Sequence, residues 1–126
     1  EPGEGARGLF EKAKARGLRL AVASNGPKAY VHPILRACGL FPFFEILACG
    51  DEVAHLKPAP DLYLLACERM GLSPSECVAV EDSVDGVGSA KAAGLACIAL
   101  ALSFTASQLK RADRILPRLA AIEDLF

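Results

Sequence analysis

The sequence predicts an α/β fold of three layers, with a mainly parallel sheet covered by helices on both faces. Three observations carry this expectation. Segments such as Leu18–Ala23, Cys77–Val80 and Ala96–Leu102 are mostly apolar rather than alternating, as strands buried on both faces are. Segments with apolar residues at helical spacing lie between them. Gly17, Gly39, Gly71 and Gly94 close those helical segments, glycine being the residue that most easily takes the left-handed closing conformation.

In chain order, Glu4–Arg16 sets Ala6, Leu9, Phe10 and Ala13 opposite a charged face and predicts a helix. Leu18–Ala23 predicts a buried strand. It stops at Ser24-Asn25-Gly26-Pro27, a turn with helix-start chemistry. Tyr30–Cys38 predicts a helix. Pro33 lacks a backbone donor and crowds the preceding turn, so the regular helix is expected to start near His32. Phe44–Cys49 predicts a second strand, and residues 50–60 a polar loop. Asp61 is expected to cap a helix running to Met70. Cys77–Val80, a helix over Ser83–Ala93 and the strand Ala96–Leu102 follow. Ser107–Phe126 is expected to hold a short helix, an edge strand at Arg114–Leu116 and a terminal turn. No repeat or interdomain linker interrupts residues 1–126, which read as one domain.

Composition narrows the function classes. The chain has 126 residues and a mass of 13.2 kDa. A protein of that mass buries about two-thirds of its unfolded surface, enough for a core without metal or disulfide support. Hydrophobic residues are 52% and charged residues 23%, outside the range of disordered chains. The net charge is −1 and basic residues are dispersed, which speaks against a nucleic-acid surface or an anionic membrane surface. The longest apolar run, Leu95–Leu102, is too short to span a bilayer, and no signal-peptide pattern is present. Cys38, Cys49, Cys67, Cys77 and Cys97 are odd in number and lack C-x-x-C spacing, so neither a disulfide framework nor a zinc site is expected. Free thiols in apolar contexts predict a reducing, cytoplasmic compartment. His32 and His55 have no ligand-spaced partner and are expected in surface or packing roles.

Polar residues follow the strands at once, and in parallel sheets ligands bind beyond the carboxyl ends of strands. Glu81 and Asp82 end an apolar strand. Adjacent carboxylates repel unless a cation offsets them, and such hard oxygen ligands suit Mg²⁺. Asp85, one turn on, is a possible helper ligand. Taken alone, Glu81-Asp82-Ser83 equally serves to cap the next helix. Ser24, Asn25 and Gly26 offer a hydroxyl, an amide and backbone N–H groups at a helix start, an anion-binding arrangement that an ordinary capped turn would also explain. Lys57, the one lysine of an otherwise cation-poor loop stiffened by Pro58 and Pro60, can aim a point charge at a phosphate, or be a solvated loop lysine beside a helix cap.

Together these segments resemble the haloacid dehalogenase (HAD) superfamily, most closely the branch of phosphoglycolate phosphatases and β-phosphoglucomutase. The resemblance rests on residues 17–25, on Lys57-Pro58-Ala59-Pro60-Asp61-Leu62-Tyr63, and on Val80-Glu81-Asp82-Ser83 through Gly86 with Ala92-Ala93-Gly94. It implies a Rossmann-like HAD core and a Mg²⁺-dependent phosphatase or phosphomutase acting on a small phosphorylated metabolite through an aspartyl-phosphate. It further implies that Ser24 binds the transferring phosphoryl group with Asn25 beside it. Lys57 would neutralise phosphate and nucleophile, and Glu81 and Asp82 would position Mg²⁺. The catalytic set would thus be Lys57 and Ser24.

The family's nucleophile lies in an Asp-x-Asp motif. None of the six aspartates here, Asp51, Asp61, Asp82, Asp85, Asp113 and Asp124, is two residues from another. The chain is therefore expected to be the C-terminal core portion only, lacking the nucleophile strand and the cap domain, and inactive alone. By resemblance that strand belongs between Leu18–Ala23 and Cys77–Glu81. Unpaired groups along two central edges cost roughly 1–3 kcal/mol each if buried dry. Three resolutions are open: an N-terminal segment or partner chain completes the sheet, the flanking strands pair directly, or two copies pair. The alternative is a non-catalytic pseudoenzyme or interaction module with a remnant fold. A phosphoacceptor receiver domain is disfavoured, because its acidic pair comes early and its lysine late.

Overall fold

The computed structural model describes residues 5–125. The helix α1 (Ala6–Ala15) leads into the strand β1 (Ala21–Ser24), then α2 (Lys28–Ala37), β2 (Ile46–Cys49), α3 (Asp61–Met70), β3 (Val78–Glu81), α4 (Val84–Ala93), β4 (Ala96–Leu100) and β5 (Arg114–Leu116). Short 3₁₀ turns occupy Phe41–Phe43, Gly50–Glu52, Pro74–Glu76 and Leu119–Leu125. Glu4 and Phe126, the outer bounds of two expected elements, lie outside the described residues. All strand pairings are parallel, as the apolar strands and intervening helices predict.

The strands form two sheets rather than one. β1 pairs with β2, in register Ala21↔Ile46 to Ser24↔Cys49. β3 pairs with β4 and β4 with β5. Among the described residues no ladder joins β1 to β3. Direct pairing of those two strands, one of the three resolutions left open by the sequence, is therefore not what this chain does.

Layering follows from the two faces of β4. Cys97 and Ala99 face a core built with Tyr63 and Cys67 of α3 and with Val87 and Ala90 of α4. Ile98 and Leu100 face the opposite side, where Leu9 of α1 and Ile122 cover them. β3 departs from this. Ala79 and Glu81 are buried, but Val78 and Val80 are 61% and 42% exposed. A strand expected to be covered on both faces has one face bare at the boundary between the two sheets.

Three local expectations are corrected. Pro33 lies inside α2, which starts at Lys28 rather than near His32. The turn ahead of Pro33 has an anchor from outside the helix: the Lys28 backbone N–H donates to Asp51 Oδ1 at 3.0 Å. Asp61 opens α3 but makes no capping bond; it accepts instead from the His55 backbone N–H at 3.2 Å, pinning the preceding loop. The helix expected after Ser107 is a run of turns, and the last regular element is the 3₁₀ stretch Leu119–Leu125.

Candidate active site

The expected site residues gather at the carboxyl ends of β1 and β3, on either side of the sheet boundary. Lys57 joins the two. Its Nζ donates to the Ala23 carbonyl of β1 at 2.8 Å and to Glu81 Oε2 at the end of β3 at 2.6 Å. Both side chains are largely withdrawn from water, at 12% and 8% exposure. An unpaired charge so placed is costly, so each is the other's counter-ion. The lysine also lies 5.0 Å from the centre of the Tyr63 ring.

The loop that carries Lys57 is fixed from three directions. The Lys57 backbone N–H donates to Asn25 Oδ1 at 2.9 Å. Ser89 of α4 donates its hydroxyl to the Ala59 carbonyl at 2.7 Å. His55 is tied to Asp61 as described. The Lys57–Pro58 peptide is cis. Asn25, expected beside a phosphate, spends its carbonyl oxygen on holding Lys57 in place; its NH₂ group keeps its donors.

Ser24 ends β1 half-buried. Its Oγ accepts from the Gly26 backbone N–H at 3.1 Å, which closes the turn and leaves the hydroxyl proton to be donated elsewhere. The helix start that this turn was expected to offer an anion is already occupied at Lys28 by the Asp51 carboxylate. The turn is pressed against the loop after β2: Gly50 donates to the Gly26 carbonyl at 2.9 Å, and a Cβ on Gly50 would lie 1.9 Å from the Asn25 carbonyl oxygen. Only glycine permits that approach.

Glu81 accepts a second hydrogen bond, from the hydroxyl of Tyr63 on α3, also at Oε2. Burial, and then the neighbouring carboxylate, push the Tyr63 hydroxyl well above its ordinary range, so it remains a donor. Glu81 Oε1 accepts from no group among the described residues and is not sealed from solvent. It sits over the first turn of α4, where a Cβ on Gly86 would lie 1.8 Å from it. Asp82 and Asp85 are exposed. Ser83 caps α4, its Oγ accepting from Gly86 N–H at 2.9 Å. The capping role weighed for Glu81-Asp82-Ser83 thus falls to Ser83 and leaves both carboxylates to other work. The sequence alone marks no role for Tyr63, Gly50 or Gly86. Tyr63 and Gly86 stood inside the resembling segments, whereas nothing near Gly50 marks its partner 25 residues earlier.

A family model described as haloacid dehalogenase-like hydrolase matches residues 1–94. The chain belongs to the haloacid dehalogenase-like hydrolases. Among HAD relatives, the CbbY protein of Rhodobacter capsulatus is 44% identical over 117 residues, covering 90% of this chain and 52% of the relative. Phosphoglycolate phosphatase of Escherichia coli is 37% identical over 91 residues, 72% of this chain and 36% of the relative. The crystal structure of CbbY from Rhodobacter sphaeroides in complex with phosphate matches with a TM-score of 0.87 at 38% identity, covering 95% of this chain and 55% of that one. The chain thus spans about half the length of these relatives or less.

HAD hydrolases generally use Mg²⁺. Among the described residues no three His, Cys, Asp or Glu gather as a metal cluster. Glu81 Oε1 and the exposed Asp82 carboxylate do supply hard oxygens. Mg²⁺ is commonly held by one or two carboxylates together with water and substrate phosphate, so the residues present fit part of its shell.

Proposed function

We propose that this chain is the phosphate- and Mg²⁺-binding part of a HAD phosphatase or phosphomutase that transfers a phosphoryl group from a small metabolite to an aspartate. The aspartate would arrive on a strand from outside the described residues, an N-terminal segment or a partner chain, seated between β1 and β3. The observation that carries this is Lys57. It holds the carboxyl ends of the two sheets together through Ala23 and Glu81, beside Ser24, where such a strand would end.

Each side chain has a definite task in that proposal. Ser24 donates its free hydroxyl proton to a phosphoryl oxygen. Lys57 turns part of its charge from Glu81 to the phosphate and the attacking carboxylate. Asn25 keeps the Lys57 loop in place and lends its NH₂ group. Glu81 and Asp82 would hold Mg²⁺, which when bound neutralises phosphoryl charge. Phosphoryl transfer needs little more than this positioning and charge compensation, apart from a nucleophile. Without an aspartate in the slot no covalent intermediate forms, so the chain alone is inactive. The five free cysteines suit the reducing interior of a cell. An intact Ser24, Lys57 and Glu81 cluster is difficult to reconcile with a non-catalytic remnant. The test is Mg²⁺-dependent hydrolysis of p-nitrophenyl phosphate by the protein with its aspartate strand in place. Lys57→Ala is expected to lower kcat by about 10²–10³-fold. Unchanged turnover would refute the assignment.

A further inference from the structure

We infer that Tyr63 is a positioning residue for Glu81, fixing which carboxylate oxygen is offered to a divalent cation. The inference rests on the assignment of Glu81 as a Mg²⁺ ligand. A carboxylate has two oxygens and about four acceptor sites, yet both protein donors to Glu81 converge on Oε2. They come from different elements: Lys57 from the loop after β2, Tyr63 from the first turns of α3. Rotating the carboxylate breaks both bonds at once. Oε1 is left without a protein donor, still open to solvent, over the hollow that Gly86 leaves by lacking a Cβ.

Packing alone does not account for the hydroxyl. The Tyr63 ring lies in the core with Ala79, Val87 and Cys97, a setting a phenyl ring fills equally well. Removing the oxygen would leave Lys57 as the sole tether of Glu81, and Lys57 is the cation the phosphate must also attract. Tyr63 thus allows Lys57 to share its charge without freeing the ligand. Groups that orient a metal ligand typically change metal affinity by about 10–100-fold when removed.

The experiment is titration of the protein with its aspartate strand in place, with Mn²⁺ as the probe, read by the electron paramagnetic resonance signal of the free ion, alongside thermal unfolding of each sample. Tyr63→Phe is expected to keep the unfolding transition and to weaken Mn²⁺ binding by about 10–100-fold. p-Aminophenylalanine at position 63, which fills the same volume and restores a donor, is expected to recover most of the affinity. It also serves as the probe of the donor should Tyr63→Phe fail to fold. Affinity in Tyr63→Phe equal to wild type, while Glu81→Gln loses binding, overturns the inference and leaves Glu81 as a ligand. Affinity unchanged in Glu81→Gln, or no binding by the wild-type protein with its aspartate strand in place, overturns the metal assignment and the inference with it. Loss in both position-63 variants also overturns it, since the effect would then not belong to the donor.

Discussion

Lys57 and Glu81 form a nearly dry ion pair at 2.6 Å, and its worth is felt when one partner goes. Breaking a buried pair typically costs about 3–5 kcal/mol, because the remaining charge stays buried. Lys57→Ala is therefore expected to lower unfolding free energy by about that much, with Tyr63 as the sole remaining donor to Glu81. Adding Glu81→Gln should recover part of the loss, since it removes the orphaned charge. Urea denaturation of the four chains in a double-mutant cycle checks this, and additive losses would show that the pair is not coupled. Lys57 was recognisable as unusual from the two prolines that follow it, Pro58 and Pro60. Its partners were not: Ala23 is 34 residues away and contributes only a backbone carbonyl, which no sequence pattern marks.

At the level of elements, the loops are held by side chains reaching across. Arg69 near the end of α3 donates to the Leu47 carbonyl at 2.7 Å and pairs with Glu52 at 2.6 Å. The Arg69 guanidinium, and then the Cys49 backbone N–H, hold the Glu52 carboxyl below its ordinary value. Lys91 and the Cys97 N–H do the same for Asp113, which ties α4 to the approach to β5. A carboxyl depressed on folding contributes stability that is full above its unfolded value, about 4, and is lost as pH falls through the folded value. The melting temperature should therefore drop on acidification below about pH 4, and less steeply in Glu52→Gln. Equal acid slopes would remove Glu52 from the account. Gly50→Ala tests the loop from the other side. Its Cβ would meet the Asn25 carbonyl at 1.9 Å, and backbone cannot yield as a side-chain tip can. A loss of about 1–3 kcal/mol is expected by thermal unfolding. The elements themselves were readable from periodicity and closing glycines, and β5 at Arg114–Leu116 was found at its expected bounds. The early start of α2 was not readable, because the carboxylate that secures it comes from Asp51, beyond the next strand.

For the whole molecule, the decisive feature is the division between β1–β2 and β3–β4–β5. Parallel, layered architecture was legible in the apolar strands, and the candidate residues do converge at one end of them. The division was not legible from periodicity, because a strand edge left open reads the same as one that is paired; it was an expectation of the family resemblance alone. Val78 and Val80 add a second feature at the same strand, apolar side chains exposed on a face of β3 whose other face is core. In our account the chemistry waits for an aspartate supplied through that boundary. The most direct measurement is steady-state hydrolysis of p-nitrophenyl phosphate by the purified 126-residue chain with Mg²⁺, on samples shown to unfold cooperatively. No turnover above background is predicted. Mg²⁺-dependent turnover by the folded chain, abolished in Asp82→Ala, would contradict the account.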